Sequence, residues 1–574
     1  MPNANDVPLM FQAPIPQRGK IQYAGDPEPA KKWVSQWLKG APAKPPEVVQ
    51  GKNIPVWARR SPQPMGKLPG FGKVKQVWEY QIDWRLVTNS GQDKDVILPV
   101  IGAKGMPFFP GSSMKGLFLR ACPKEKRLRY CGGEVRQNGQ VSTKPGLLRF
   151  HGGYPTDMNW AQIDRLVDIV HPQQKDQVEW ATTTSASVLL SLYRPKMKFG
   201  VSSMKPIADT EWQKIRTIWE AALMLGLGSR VSAGYGYVEG LANDDRTVLR
   251  VHLKGKGLAP TLLTSKEEFR PNVFKAALRG HTLRILGGLT NATQAKLLTQ
   301  KIWGGIEGGE TGNKPVVGSL GVQLVKSDLD LGTHGHGGRS LPIYDFKSGE
   351  LCIVKTKACS PELERFVTVL VQFAMLLGGF GKSWRRSHHG LFYPQYLQNP
   401  QKPMIGCHWE FLPESKNLTV TAGKPDLGKI QHFLQEELPS AAQAWMRSEG
   451  VMPGGRMAEW REAWSSQRVR VYGRLADGEQ GSTAIHWFHD DKSEPGCWIK
   501  KTALGGSMGK TGRIWHRMYP RYGLKDGQRQ LLMQRGKGQY VELFTVFPDG
   551  SADSRELLNY LASPKSEFTL LFGG

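Results

Sequence analysis

The sequence contains no long hydrophobic run, and this bears first on where the protein resides. Its longest apolar stretch, 366–377, is interrupted by Thr368 and Gln372 and is shorter than the roughly 18 residues that a membrane-spanning helix needs. The amino terminus lacks a basic region followed by an apolar one, so no signal peptide is expected. We therefore expect a cytoplasmic protein without a membrane partner.

Cysteine is scarce, with six residues in 574, at positions 122, 131, 352, 359, 407 and 497. No two of them form a Cys-x-x-Cys pair, which argues against a cysteine-rich zinc site. Their irregular spacing suits a reducing compartment, in which thiols serve as small apolar core residues rather than as a disulfide framework.

Acidic residues are outnumbered, with 50 Asp and Glu against 77 Lys and Arg, which gives a formal net charge of +27. Basic surface binds phosphate backbones by releasing counterions, so a polyanion is the expected partner class. The 18 tryptophans offer aromatic faces on which unpaired bases can stack. The alternative for most of them is a place in the core. Composition thus favours nucleic acid as the partner but specifies no reaction.

The chain length predicts about three or four domains, and the composition changes along it. Residues 1–74 hold 13 of the 38 prolines, which predicts an extended arm, with disorder as the alternative. Alternating apolar and polar residues predict strands that begin at Val77 and Val248. After about residue 412 a separate segment remains, 413–574, with helical and strand-rich parts.

The two strands are followed by similar series of segments. In each, a proline and a small or polar turn lead through a lysine and apolar residues to an arginine, at 109–120 and at 270–279. A helix comes later, predicted over 211–225 with Thr210 and Gln213 as a capping box, and after Ser360 as N-cap in the second series. Each series ends in a glycine-rich loop. We interpret this as a tandem duplication over 75–245 and 246–412.

Glycines and a lysine at a helix start can cradle phosphate, because exposed backbone amides point toward the anion. A tight turn with a helix cap is the alternative interpretation. A single C-cap accounts for one glycine in the first glycine-rich loop but not for four. The candidate phosphate-binding residues of the first repeat are Ser112, Ser113, Lys115, Arg120, Gly226, Gly228, Arg230, Gly234 and Gly236. Those of the second repeat are Lys275, Arg279, Gly379, Gly381, Lys382 and Arg385.

The segments 109–116 and 226–236 resemble the RAMP superfamily of CRISPR proteins, and most closely the Cas-seven-type backbone subunits of type III effector complexes. The resemblance implies an α+β fold with two tandem ferredoxin-like, RRM-related domains. It also implies that each domain grips a segment of guide RNA and that a hairpin, the thumb, interrupts the guide–target duplex. Two fused units resemble the fusions of type III-D-like systems. The arm and the segment 413–574 lie outside the resemblance.

In catalytic members of this family an aspartate lies between the first strand and the Pro-Gly-Ser-Ser turn. Asp95 matches that position, and Asp93 is the nearby substitute. A loop carboxylate can hold Mg²⁺, or Mn²⁺, near a scissile phosphate. A lone aspartate in a loop is otherwise a turn former. The second repeat has Lys-Glu-Glu at 266–268 and no aspartate there, so catalysis is expected at the first repeat.

Two further segments are candidates for the thumbs. The segment 326–336 contains Asp328, Asp330, His334 and His336. It can be imagined as a metal cluster, but its flanking glycines favour a mobile loop that serves as the second thumb. The first thumb is expected around 168–185.

The carboxy-terminal segment contains a basic and aromatic stretch. Gly505 to Thr511 is not a P-loop, because the motif requires glycine where residue 504 is leucine. Residues 499–540 hold ten Lys and Arg and a single acidic residue. Arg513, Trp515 and Arg517 are candidates for contact with RNA, with a solvated basic face as the alternative.

The sequence therefore predicts a guide-RNA-binding backbone subunit of a type III CRISPR ribonucleoprotein. With a divalent metal at Asp95 it would cleave single-stranded target RNA, together with other type III effector subunits. One alternative is a metal-independent RAMP endoribonuclease that matures guide RNA with histidine as general base. Others are a non-catalytic RNA-binding scaffold and an unrelated RNA-binding protein.

Overall fold

A computed structural model describes most of the chain after residue 69. The described residues are 48–49, 52–53, 70–72, 76–93, 96–102, 106–137, 140–161, 163–170, 178–179, 187–242, 244–260, 267–307, 314–336, 339–398, 402–420, 427–478, 481–489, 499–500, 502–506, 512–525, 528–531, 533–534 and 537–574. Among these residues, none of the helices combines the length and apolar character needed to cross a membrane. The predicted arm, 1–74, lies almost entirely outside the described residues.

The chain divides into two compact units. Unit 1 comprises Met1–Pro172, Thr184–Asp245 and Leu262–Lys266. Unit 2 comprises Gln173–Thr183, Arg246–Thr261 and Glu267–Gly574. The carboxy-terminal segment, 413–574, which the sequence sets apart as a third unit, is therefore grouped with unit 2. Both units combine helices with mostly antiparallel sheets, so the chain is an α+β protein.

Unit 1 contains thirteen strands and four α-helices among its described residues. The strands are β1 (Val48–Val49), β2 (Lys52–Asn53), β3 (Gln76–Gln81), β4 (Arg85–Leu86), β5 (Gly91–Asp93), β6 (Val96–Leu98), β7 (Gly132–Gln137), β8 (Gln140–Pro145), β9 (Leu148–Pro155), β10 (Val167–Val170), β11 (Ser187–Leu190), β12 (Leu192–Tyr193) and β13 (Lys196–Ser203). The helices are α1 (Gly111–Ala121), α2 (Lys124–Cys131), α3 (Ile163–Leu166) and α4 (Asp209–Leu223).

The central sheet of unit 1 has the antiparallel order β3-β13-β9, and a bridge from Ile82 to Val238 adds a fourth chain segment beside β3. A second sheet, β10-β11-β6-β5, contains one parallel pair, β11 with β6. The period-2 pattern that begins at Val77 correctly predicts β3, although the strand is interrupted before β4. Buried faces of α1 and α4 pack with the central sheet, through Met114 and Trp219 among others.

Unit 2 contains thirteen strands and eight α-helices among its described residues. The strands are β14 (Thr247–Leu258), β15 (Gly305–Glu307), β16 (Lys314–Val316), β17 (Leu320–His336), β18 (Arg339–Lys355), β19 (Cys407–Phe411), β20 (Arg470–Asp477), β21 (Ile514–Pro520), β22 (Tyr522–Lys525), β23 (Gln528–Leu531), β24 (Met533–Gln534), β25 (Lys537–Val546) and β26 (Thr569–Phe572). The helices are α5 (Asn272–Gly287), α6 (Ala292–Trp303), α7 (Pro361–Leu377), α8 (His389–Phe392), α9 (Gly428–His432), α10 (Leu438–Ser448), α11 (Ala484–His489) and α12 (Ala552–Ala562).

The first sheet of unit 2 has the order β17-β18-β14-β19, and all its pairs are antiparallel. Read across the sheet from β19 to β17, the strands are the last, first, third and second along the chain. The central sheet of unit 1 has the same order, with Val238 as the last segment. In both units a helix joins the first strand to the second, and another helix joins the third to the last.

The carboxy-terminal residues form a second sheet in unit 2, ordered β21-β25-β20-β26. Residues from this sheet and from α10 belong to the same hydrophobic core as α5 and α7, including Trp445, Trp515 and Val541. Segment 413–574 thus shares a core with 246–412, which explains why it does not form a unit of its own.

The helix-start predictions have different outcomes in the two units. In α7 the Ser360 hydroxyl accepts a hydrogen bond from the Leu363 amide at 3.3 Å, and Pro361 occupies the first turn, which confirms the predicted cap. In α4 the N-cap is Ala208, without a side-chain hydrogen bond, so the capping box predicted from Thr210 is wrong. Asp209 and Glu211 lie in its first turn instead, where carboxylates favour the helix dipole.

The predicted mobile loop at 326–336 is also wrong, because these residues belong to strand β17. β17 and β18 form a long hairpin in which Asp328 pairs with Ser348 and Asp330 with Asp345. The Asp330 carboxylate lies 2.6 Å from the Lys347 ammonium. The alternation of Asp328 and Asp330 with Leu329 and Leu331 is the period-2 signal of a strand, which the flanking glycines obscure.

Candidate nucleic-acid interface

The start of α1 carries the predicted lysine turn of unit 1. Pro110 is its N-cap, no side chain caps the helix, and the first turn contains no acidic residue. Ser112, Ser113 and Lys115 are exposed, whereas Met114 is fully buried. The polar residues of this turn therefore face solvent, and Arg120 is exposed at the other end of the same helix.

The first glycine-rich loop follows α4 and folds back on the strands. Gly226, Gly228, Gly234 and Gly236 all have positive φ, between 72° and 92°, and so does Arg230 at 59°. The Ser229 amide donates to the Val87 carbonyl at 2.8 Å, and the Gly236 amide to the Arg85 carbonyl at 2.7 Å. The loop is held against the backbone beside β4.

Contacts within the chain explain why several of these residues are glycine. A β-carbon at Gly228 would lie 2.1 Å from the Val87 carbonyl oxygen, and one at Gly236 would lie 1.9 Å from that of Leu227. At Gly226 it would meet the Val231 side chain at 2.3 Å. These glycines therefore need no polyanion to account for them, and the loop presents the half-buried Arg230 instead.

The corresponding residues of unit 2 are less exposed at the helix start. Lys275 and Arg279 lie in α5, both partly buried, and burial lowers the pKa of the Arg279 guanidinium. In the second glycine-rich loop, Gly379 has φ of +99°, and a β-carbon there would lie 2.4 Å from the Trp409 ring. Gly381 has φ of +91° and precedes Lys382, whose side chain is exposed.

Arg385, a predicted phosphate ligand, lies in the core of unit 2 instead of at the surface. It is 9% exposed, and its guanidinium donates to both oxygens of the fully buried Glu462 at 2.7 Å. Arg284 and Arg461 bind the same carboxylate at 2.6 and 2.8 Å. Because Arg385 is buried and its guanidinium is engaged by Glu462 and by the Trp384 ring, it is not part of the candidate interface.

The carboxy-terminal stretch is also divided between core and surface. Trp515 and Arg517 are each 1% exposed, and the Arg517 guanidinium donates to the carbonyls of Trp409 and Met375. Neither side chain can reach RNA in this conformation, which corrects the prediction for both. Arg513 is only partly buried and pairs with Asp549 at 3.1 Å.

Of the two candidate metal ligands, Asp93 lies among the described residues. Asp95 lies outside the described residues. Asp93 is the last residue of β5, where it pairs with Val96 across a tight hairpin. Among the described residues, no group of three or more His, Cys, Asp or Glu side chains is arranged to hold a metal ion.

The predicted first thumb, 168–185, is described in part. Asp168 lies in β10, where its buried carboxylate accepts a 2.5 Å hydrogen bond from the Tyr235 hydroxyl. Val178 and Glu179 belong to unit 2, with Val178 in its hydrophobic core and Glu179 paired to Lys296 at 2.9 Å.

Asp83 is a titratable residue that the sequence does not single out. It lies just after the end of β3, beyond Ile82, and its amide donates to the Tyr237 carbonyl at 3.0 Å. Burial raises the pKa of its carboxyl to about 6, and Glu239 adds to this effect, whereas Arg194 opposes it. The sequence contains no local signal for it, because Asp83 falls on the polar side of the alternation, together with Glu79 and Gln81.

Comparison with known proteins gives partial likenesses. No family model matches this chain, and no curated protein sequence matches it. A cryo-EM structure of the type III-B Cmr-beta complex bound to cognate target RNA contains a chain that is 17% identical, with a TM-score of 0.22, over 28% of this chain and 57% of that chain. A chain of a type IV-B CRISPR complex is 14% identical, with a TM-score of 0.20, over 28% of this chain and 88% of that chain.

Proposed function

We propose that this chain is a guide-RNA-binding backbone subunit of a type III CRISPR ribonucleoprotein, built from two ferredoxin-like units. The observation that carries the proposal is the repeated spatial order last, first, third, second in the central sheets of the two units. With helices after the first strand and after the third, this is the strand order of a split βαβ fold. Each unit adds a lysine near its first helix or in its glycine-rich loop.

The RNA would run over the exposed polar residues that these elements present. In unit 1 these are Ser112, Ser113, Lys115 and Arg120, with the half-buried Arg230 beside them, and in unit 2 the exposed member is Lys382. Lysine and arginine bind backbone phosphates without regard to sequence, which suits a subunit that must hold any guide. Other type III effector subunits are the expected protein partners.

Cleavage of target RNA is the second part of the proposal. Asp95, or Asp93 beside it, would contribute a carboxylate to Mg²⁺ or Mn²⁺. Carboxylate oxygens are the donors that these hard cations prefer, so the residue type fits the group. When bound, such an ion polarises a phosphoryl oxygen. The chain itself would hold the RNA backbone in register beside the aspartate.

The decisive experiment is to sequence the RNA that co-purifies with the native protein and then to offer a complementary RNA. Discrete small RNAs and cleavage that needs Mg²⁺ are the expected results. Cleavage should be abolished by EDTA and by Asp95→Ala, while Asp95→Ala retains RNA binding. The matched variant Asp93→Ala determines which carboxylate is required.

Three results would contradict the proposal in different ways. Cleavage that persists in EDTA would favour the metal-independent endoribonuclease. A pure assembly that binds but never cuts complementary RNA would favour the scaffold. Co-purification without a small discrete RNA would indicate an unrelated RNA-binding protein.

A further inference from the structure

A groove of about 360 Å³ opens beside the start of α1 in unit 1. Its walls come from three elements, namely the first turn of α1, the β7–β8 hairpin and the beginning of β9. The polar side chains that line it are Ser112, Lys115, Thr143, Lys144 and Arg149. The sequence singles out Ser112 and Lys115, whereas the other three residues have no assigned role.

The shape of the groove is fixed, because close backbone packing at glycines holds the β7–β8 hairpin against the helices. A β-carbon at Gly132 would lie 2.4 Å from the Gly146 amide nitrogen, and one at Gly146 would lie 2.4 Å from the Cys131 carbonyl carbon. On the opposite wall, a β-carbon at Gly111 would lie 2.2 Å from the Phe150 carbonyl oxygen. The hairpin and the helix start are therefore held at a set separation by close backbone packing at these glycines.

The charged side chains that line the groove are all positive. Within the described part of the chain, none of Lys115, Lys144 and Arg149 forms an ion pair, and all three side chains are exposed. No carboxylate is among the described residues that line the groove. The surrounding segment, 111–149, contains nine Lys and Arg and two Glu. The three cations therefore converge on one cavity without an internal counter-charge.

The open face of the sheet in unit 2 offers a contrast. Two of its exposed lysines lie across from carboxylates, with Lys254 at 3.2 Å from Glu410 and Lys256 at 3.1 Å from Asp345. Those charges are neutralised within the protein. Unpaired cations around a cavity, as in the unit 1 groove, leave the charge available for an external anion.

We propose that this groove binds backbone phosphates of single-stranded RNA through Lys144 and Arg149, in continuity with Lys115 at the helix start. This inference rests on the proposed RNA-binding function and extends it to the β7–β8 hairpin. The Arg149 guanidinium can donate two parallel hydrogen bonds to one phosphate, and Lys144 supplies a point charge. The Ser112 and Thr143 hydroxyls add neutral donors. The hairpin thus serves as the second wall of an RNA track whose first wall is α1.

The test compares two double variants of the full chain for binding to a 30-nucleotide poly(U) RNA by fluorescence anisotropy over a range of salt. Lys144→Ala/Arg149→Ala removes the two groove cations. The control, Lys205→Ala/Lys214→Ala, removes two exposed lysines of unit 1 that do not line the groove. Both variants lower the net charge equally.

The groove variant should lose about 25-fold in affinity at 0.1 M salt, and its salt slope should become less negative by about 1.4, because each phosphate contact on a single strand contributes about 0.7. The control should change less than about threefold, since salt screens distant charges. The charge-keeping variant Lys144→Arg/Arg149→Lys should restore most of the affinity. Equal losses in the groove and control variants would overturn the inference while the proposed function stands. A wild-type chain that does not bind the RNA would overturn the proposed function itself.

Discussion

Gly228 lies so close to the backbone of Val87 that a β-carbon would be 2.1 Å from the Val87 carbonyl oxygen. The Ser229 amide donates to that same oxygen at 2.8 Å. The first glycine-rich loop is therefore attached to the strands of unit 1 at a point where only glycine fits, and its geometry depends on that contact.

Gly228→Ala should detach the loop and lower the free energy of unfolding. Gly240→Ala is a matched control, because Gly240 has the same φ of +76° but no atom within 4 Å of the added carbon. Both variants carry the cost of a left-handed alanine, about 1–2 kcal/mol. Only Gly228→Ala adds the clash, about 1–3 kcal/mol more. Urea denaturation measures the difference, and equal losses for the two variants would contradict the contact.

Glu462 is the carboxylate shared by three buried guanidinium groups in the core of unit 2. Although burial alone would raise the pKa of its carboxyl, the guanidinium groups of Arg385, Arg284 and Arg461 hold that pKa well below the ordinary range. Glu462→Gln leaves three guanidinium groups without their shared carboxylate, so we expect a loss of roughly 3–5 kcal/mol in the free energy of unfolding.

The control for this variant is Glu459→Gln, which breaks an exposed ion pair with Arg456 three residues away. Exposed ion pairs contribute little to stability, because solvent screens the two charges. Thermal unfolding should therefore separate the two variants clearly. If the Glu462→Gln protein melted at the same temperature as the Glu459→Gln protein, the buried cluster would not be needed for stability.

Local patterns in the sequence predict parts of this fold well. Period-2 alternation identifies β3 and β14, and the Ser360 cap and Pro361 place the start of α7 correctly. These features depend on neighbours within a few residues, so the sequence contains all the information they need. The β17 strand was missed because its glycines suggest a loop, whereas pairing with β18 over its full length determines the structure.

The candidate site is predicted less well because burial of charged residues is a long-range property. Arg385 and Arg517 look like surface cations in sequence, but their partners, Glu462 and Trp409, lie 77 and 108 residues away. No local pattern distinguishes them from Lys115, which is exposed. The groove cations Lys144 and Arg149 also lack a local signal in the sequence, because only the fold brings them beside the start of α1.

Asp83 makes the stability of unit 1 depend on pH. Burial raises the pKa of its carboxyl from 3.8 to about 6, so the folded state disfavours the charged form. Below pH 4 both the folded and unfolded states are protonated, and the residue costs nothing. As the pH rises through 4 to 6 the unfolded state gains more from ionisation, and stability is lost. The loss is complete above about pH 6.

Asp83→Asn should therefore raise the melting temperature at pH 7.5 and have little effect at pH 3.5. Melting curves by circular dichroism across this range measure the difference. Asp245→Asn, at an exposed position, controls for the loss of a negative charge. A constant difference between Asp83→Asn and the wild type at every pH would contradict the raised pKa.

Arg513 and Arg517 are four residues apart in the basic carboxy-terminal stretch, yet the structure predicts opposite consequences when each is removed. Arg517→Ala deprives the buried carbonyls of Trp409 and Met375 of their donor, and unsatisfied buried groups cost about 1–3 kcal/mol each. We expect a lower melting temperature for Arg517→Ala and, at a temperature where it is folded, unchanged RNA affinity. Arg513→Ala should melt near the wild type, because its pair with Asp549 is partly solvated. It should weaken RNA binding at low salt, because a partly exposed basic group is lost from unit 2. An Arg517→Ala protein that keeps its melting temperature but loses RNA affinity would place that guanidinium at the RNA after all.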